Sequence, residues 1–192
     1  MYDERPGLLR VVFVDRDGVL NADRPDYVKT PEEFRVLPGA AEAVARLSRE
    51  GYSVVVVSNQ AGVGKGLVTE EDLWAITHLL RQAVEAAGGE IEAVYYCLHT
   101  PQDDCDCRKP RPGLLLRACE DLGVDASECV FVGDAERDVK ASRAAGCRSV
   151  LVLTGHAGPE DLEGFEVQPD HVAEDLDGAV NWILVEDGRT VA

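Results

Sequence analysis

Apolar residues fall along this chain in two rhythms. Short unbroken runs, Leu8 to Val14, Val54 to Val57, Ile91 to Tyr96, Cys129 to Val132 and Ser149 to Leu153, predict strands buried on both faces. Between them apolar positions recur every three or four residues. Gly39 to Glu50 is expected as a helix with Ala40, Val44 and Leu47 on one face, stopped by Gly51. Thr69 and Asp72 form an N-cap pair ahead of a long amphipathic helix ending near Gly88. Further helices are expected over Pro112 to Leu122, Glu136 to Ala145 and Asp175 to Leu184, and Asp23 to Phe34 is the main irregular excursion. Strand and helix in alternation predict an α/β, doubly wound, Rossmann-like parallel sheet with helices on both faces, as one domain over residues 1–192.

In such a sheet, ligands bind outside the carboxyl ends of the strands, and those ends carry the chain's most pointed chemistry. The first run delivers Asp15-Arg16-Asp17-Gly18 into a turn. Residues i and i+2 of an extended segment share a face, so Asp15 and Asp17 are expected to point together and to need a cation nearby. Alone the pair could simply start a turn. Ser58 at the end of the second run and Gly133-Asp134 at the end of the fourth supply further polar groups at corresponding ends. A Gly-rich turn through Gly62, Gly64 and Gly66 follows Ser58-Asn59-Gln60.

Charge narrows the partners. The formal net charge is −17, which disfavours nucleic acid and anionic membranes, because phosphate backbones attract clustered Lys and Arg. An anionic substrate would have to be held locally, by a metal ion and by placed cations among Arg16, Lys65, Arg108, Lys109 and Arg111. No secretory leader or membrane-spanning run is visible, so a cytoplasmic location is expected. Trp74, Trp182 and Tyr95-Tyr96 are expected to pack, since no basic stripe accompanies them. His78, His156 and His171 lack ligand spacing.

Cys97-Leu98-His99 and Cys105-Asp106-Cys107 form the second strong signal. Three thiolates and one imidazole complete a tetrahedral Zn²⁺ shell, which marks a structural site. A disulfide or free thiols are the alternatives; a reducing compartment disfavours the first, and paired spacing around an embedded His favours metal. Arg108-Lys109-Pro110 follows the last of these residues directly, so zinc would pin the loop that aims two cations. Cys119, Cys129 and Cys147 are expected in the core.

Together, Asp15-Arg16-Asp17-Gly18-Val19, Ser58, Lys109 and Gly133-Asp134 with Asp138 resemble the four motifs of the haloacid dehalogenase phosphohydrolases, over most of the chain. The resemblance implies Asp15 as nucleophile through an aspartyl-phosphate, Asp17 as general acid and base, and Ser58 and Lys109 as partners of the phosphoryl group. It implies Mg²⁺ held by Asp15, Asp134 and the backbone carbonyl of Asp17, with Asp138 orienting its waters or Lys109.

The zinc loop, with Asp15 to Asn21 and Ser58 to Gln60, resembles more narrowly the histidinol-phosphate phosphatase-like subfamily, which also contains heptose-bisphosphate phosphatases. That implies a minimal cap and short loops choosing a small phosphorylated sugar; a monomer is expected. The leading expectation is loss of the 7-phosphate from a manno-heptose 1,7-bisphosphate; histidinol phosphate is the rival. By resemblance Arg16, Asp23, Arg24, Tyr27, Asn59, Gln60 and Ala61 would face the substrate beside Asp15, Asp17, Ser58 and Lys109, and Arg108 would bind the phosphate that is not cleaved. Ala135 departs from the subfamily, where a Lys can follow the metal-binding Asp, and the Asp23 to Tyr27 loop is one residue longer than in some relatives.

Overall fold

The computed structural model describes residues 9–189. Six strands, β1 (Arg10–Val14), β2 (Tyr52–Asn59), β3 (Ile91–Cys97), β4 (Val130–Gly133), β5 (Arg148–Val152) and β6 (His171–Ala173), form one sheet in the order β3-β2-β1-β4-β5-β6. Every pairing is parallel. Parallel neighbours require crossovers, which carry α1 (Ala40–Arg49), α2 (Ala61–Gly64), α3 (Glu70–Ala86), α4 (Gly113–Leu122) and α5 (Glu136–Ala145); a 3₁₀ helix over Pro159–Gly164 links β5 to β6, and α6 (Leu176–Glu186) follows the last strand.

Strand alternation divides the core in two. Val12, Val14, Val54, Val56, Val130 and Val132 meet α1, α3 and α6, whereas Val11, Phe13, Val55, Val57 and Phe131 meet α4 and α5. Because both faces are covered, the strands read as continuous apolar runs, and each fully buried Val contributes roughly 1.5–3 kcal/mol.

The expected elements are all present, with ends displaced by one or two residues. The first strand begins at Arg10, and Leu8 lies outside the described residues. Two elements went unforeseen. β6 is only three residues long, and α2 is a single turn inside the Gly-rich segment. The excursion after β1 contains one 3₁₀ turn, Pro31–Glu33, so no separate cap unit rises over the sheet there. Trp74, expected to pack, leans on Tyr96 with ring centroids 5.8 Å apart but stays 54% exposed. His171 stacks on Trp182, and Cys119, Cys129 and Cys147 sit in the core beneath α4 and α5. No helix among the described residues is long and apolar enough to cross a membrane.

Candidate active site

The strand order reverses between β1 and β4, and the chain leaves both strands with an aspartate. Asp15 follows β1 and its N–H donates to Val132 O, extending the pairing by one rung. Gly18, at φ +81°, turns the backbone so that its N–H donates to Asn21 O. Asp134 follows β4 and accepts from His156 N at 2.7 Å through Oδ2. Gly18 and Gly155 flank that carboxylate, and a Cβ at either would collide with Asp134 Oδ2.

Behind Asp15 stands Lys109, buried, its Nζ 2.7 Å from Asp15 Oδ2, 2.7 Å from Asp138 Oδ1 and donating to Val57 O at 3.1 Å. Asp138 lies in the first turn of α5, and its Oδ2 accepts from the N–H groups of Asp134 and Ala135. One side chain thus fixes the lysine and caps the β4–α5 turn. Burial alone would neutralise these groups. For Asp138 the Lys109 and Arg137 charges win and hold its carboxyl below the usual range. Asp15 goes the other way, burial outweighing Lys109, and burial together with Asp138 and Asp15 pushes Asp134 up to about 8.

That arrangement fits a divalent cation. Oxygens of Asp15, Asp134 and Asp138 lie within 4.8 Å of one another, and Asp134 Oδ1 is buried without a hydrogen-bond partner among the described residues. Three carboxylates against one lysine leave a formal −2. Hard oxygen ligands in that number suit Mg²⁺.

Asp17 occupies a different environment. Its carboxylate takes a fork of hydrogen bonds from Arg16 Nη2 at 3.0 Å to each oxygen, one from Asn21 at 2.9 Å and one from Gln60 at 2.7 Å. Burial opposes ionisation, but Arg16, Asn21 and Gln60 outweigh it and keep the carboxyl below its ordinary value. The Arg16 guanidinium, expected toward substrate, is buried and committed to Asp17. Gln60 likewise turns to Asp17 and to Ser58 Oγ.

A cavity of about 760 Å³ opens above these groups, lined by Asp15, Asp17, Asp23, Arg24, Tyr27, Ser58, Asn59, Ala61 and Arg108 among others. Several of those side chains already hold protein partners. Asn59 grips the backbone of Lys109 from both sides, donating to its carbonyl and accepting from its N–H at 3.1 Å. Arg24 pairs with Asp26 and Glu33. Tyr27, at φ +69°, receives Lys65 Nζ on its hydroxyl at 2.8 Å. Ser58 sits at the end of β2, and Arg108 donates to His99 O. Arg137, Thr154, Gly155 and His156 also line the cavity and were not anticipated. A signal for Arg137 existed: a cation in the first turn of a helix opposes the helix dipole.

Cys97, His99, Cys105 and Cys107 come together as expected. Sγ–Sγ separations run from 3.2 to 3.7 Å, and His99 Nδ1 lies 3.2 Å from Cys107 Sγ and 3.7 Å from Cys97 Sγ. Zn–S bonds of ~2.3 Å imply tetrahedral edges of about 3.8 Å, so the cluster is close to the size of a zinc shell.

The family model Hydrolase_like, for HAD-hydrolase-like proteins, matches residues 106–179. The D-glycero-beta-D-manno-heptose-1,7-bisphosphate 7-phosphatase of Pseudomonas aeruginosa is 46% identical over 145 residues, covering 76% of this chain and 82% of that protein. The crystal structure of D,D-heptose 1,7-bisphosphate phosphatase from Bordetella bronchiseptica, complexed with magnesium and phosphate, superimposes with a TM-score of 0.88 at 37% identity, covering 93% of this chain and 99% of that one. The corresponding protein from Burkholderia thailandensis gives a TM-score of 0.71 at 34% identity, over 91% and 98%.

Proposed function

The chain belongs to the D-glycero-D-manno-heptose-1,7-bisphosphate 7-phosphatase family of haloacid dehalogenase-like hydrolases, and from that premise we propose that it removes the 7-phosphate of such a heptose bisphosphate. The observation that carries the chemistry is the buried set of Asp15, Lys109, Asp138 and Asp134, of which Asp15 lines the cavity together with Asp17.

Asp15 attacks phosphorus in line, the bond to the sugar oxygen breaks, and the phosphoryl group is carried on the Asp15 carboxylate. One slow displacement becomes two easier ones. Asp17, ionised in the resting site, takes up a proton as the phosphate's charge arrives beside it and passes that proton to the leaving oxygen. It then removes a proton from the water that attacks phosphorus and regenerates Asp15. Lys109 Nζ and Ser58 Oγ meet charge on the phosphoryl oxygens, and Asp138 holds Lys109 in place. Asp15, Asp134 and the Asp17 backbone carbonyl would hold Mg²⁺, which when bound supplies further neutralisation of the phosphoryl charge. Cys97, His99, Cys105 and Cys107 would hold a structural Zn²⁺ beneath Arg108 and Lys109.

A reducing cytoplasm suits the three free thiols of that cluster. One chain supplies every group of the site, so a monomer suffices. Steady-state phosphate release with Mg²⁺ tests the substrate, comparing both anomers of manno-heptose 1,7-bisphosphate with histidinol phosphate and simple sugar monophosphates. A lead of roughly a hundredfold in kcat/KM for a heptose bisphosphate is expected; a lead for histidinol phosphate would overturn the substrate and leave the mechanism.

A further inference from the structure

Arg137 lines the cavity from the β4–α5 side while Arg108 lines it from the zinc-loop side. Among the described residues Arg137 makes one polar contact, Nη2 to Asp134 Oδ1 at 3.7 Å, longer than a hydrogen bond. Its side chain is 38% exposed. Placing a cation in the first turn of α5 runs against the helix dipole, and the N–H groups just ahead of that turn, those of Asp134 and Ala135, are already met by Asp138. The helix itself gives no reason for an arginine there, and in holding Asp138 ionised the Arg137 charge comes second to Lys109.

Charge counting gives one. Asp15, Asp134 and Asp138 against Lys109 come to −2, which a single divalent cation balances, and the Arg16–Asp17 pair is neutral by itself. Arg24 is taken by Asp26 and Glu33. Two lining cations remain without a strong anionic partner, Arg108 and Arg137, against the single remaining lining acid, Asp23. In a chain of net charge −17, two unmatched guanidiniums facing one cavity identify where an anion goes.

We propose that Arg137 is a substrate-binding, specificity-determining residue that closes with Arg108 on the non-reacting phosphate of a bisphosphate, from the opposite wall of the cavity. The inference deepens the proposed function and rests on its reaction, but not on the identity of the sugar. When the metal satisfies Asp134, Arg137 is released from its weak contact and can form the bidentate bonds that guanidinium makes with phosphate.

The test compares wild type, Arg137→Gln and Arg137→Lys on sugar bisphosphates and on the corresponding monophosphates that keep only the reacting phosphate, with Mg²⁺ titrated for each. In Arg137→Gln the preference for bisphosphate should collapse by about 10–100-fold, the range of a charge-assisted hydrogen bond, mainly through KM. Arg137→Lys should retain part of it, which also guards against a folding defect in the Gln variant. Equal losses on both substrate classes, or a loss seen only as a higher Mg²⁺ requirement, would overturn the proposal and leave Arg137 as a partner of Asp134. So would a wild type with no preference for bisphosphates. A wild type that prefers a bisphosphate other than the heptose, with that preference lost in Arg137→Gln, would uphold Arg137 and overturn the sugar.

Discussion

Lys109 Nζ lies 2.7 Å from Asp138 Oδ1, and both side chains are buried. Lys109 is the fully buried cation of the acid cluster, and it enters from a loop whereas Asp138 enters from a helix. The pair therefore welds the loop that follows the Cys97–Cys107 cluster to the β4–α5 turn. Replacing Asp138 by Ala removes both the anchor of the lysine and the acceptor for Asp134 N and Ala135 N. Breaking a buried charge pair costs about 3–5 kcal/mol, so Asp138→Ala should lose stability in that range and activity with it. Asp138→Asn can keep the carbonyl side of those backbone contacts and should recover much of the stability but little of the rate. Urea denaturation and phosphate release measured on both variants would check this. Equal stability of wild type and Asp138→Ala would contradict it.

Asp15→Asn separates the proposed nucleophile from the fold. Amide nitrogen or oxygen cannot form the aspartyl-phosphate, so turnover should fall by about 10³-fold or more, comparable to loss of a nucleophile elsewhere. Burial raises the Asp15 pKa despite Lys109, which means that the protein environment disfavours its charged form. Removing that charge should leave the Tm of metal-free protein unchanged or slightly raised. Stopped activity with an intact melting transition is the expected pair of results, and near-normal turnover would sink covalent catalysis.

Much of this arrangement was legible in the chain because it depends on strand ends. Asp15 and Asp134 each follow an unbroken apolar run, and a parallel sheet with its switch point between those runs brings them together. The grouping of Cys97, His99, Cys105 and Cys107 was legible because they lie within ten residues of one another. Side-chain direction was not. Arg16, expected to face substrate, folds back on Asp17, because a buried carboxylate beside a guanidinium forms the fork that satisfies both. Gln60 turns the same way, and Asn59 divides its amide between the two backbone groups of Lys109, a contact fifty residues apart in sequence. Arg137 escaped notice since nothing in periodicity shows which wall of a cavity a helix-start cation reaches. β6 was missed because three residues cannot display a period.

The zinc cluster should act on catalysis through position. Asn59 holds Lys109's backbone, while Arg111 donates to the carbonyls of Asp104 and Cys105 and so ties the same loop from its far side. Metal removal would set four ligands free but leave those ties, so residues 97–111 should loosen locally without global unfolding. Hydrogen exchange should rise in that segment alone, and activity should fall by about tenfold, the scale on which misplacing an orienting group by a fraction of an ångström acts. His99→Ala should mimic chelation. Freshly purified, reduced protein with no zinc by elemental analysis would rule the metal out.

The last prediction concerns pH and the acid cluster. Asp134, pushed up to about 8 by burial and then by Asp138 and Asp15, keeps its proton in the folded metal-free protein where the unfolded chain, near the ordinary carboxylate value of 3.8, has lost it. The folded state binds more protons between those values, so stability contributed by this group is present below about pH 4 and declines as pH rises toward 8. Asp15, also raised, adds to the same slope. Asp138 and Asp17, held below the ordinary value, act oppositely but only in acid: their contribution is present above the unfolded pKa and is lost as pH falls through the folded one. Metal-free protein should therefore melt lower at pH 8 than at pH 5.5; a difference of even 2 kcal/mol corresponds to roughly 4–8 °C for a chain of this length. Mg²⁺ takes the carboxylate form, so it should release a proton on binding and stabilise more at pH 8 than at pH 5.5, closing the gap. Asp134→Asn removes one of the two titrating groups and should make the metal-free profile shallower while abolishing the Mg²⁺ effect, which separates this site from the general repulsion of an acidic chain. A metal-free Tm that stays level from pH 5.5 to 8 in wild type would show that Asp134 is already ionised in the folded state.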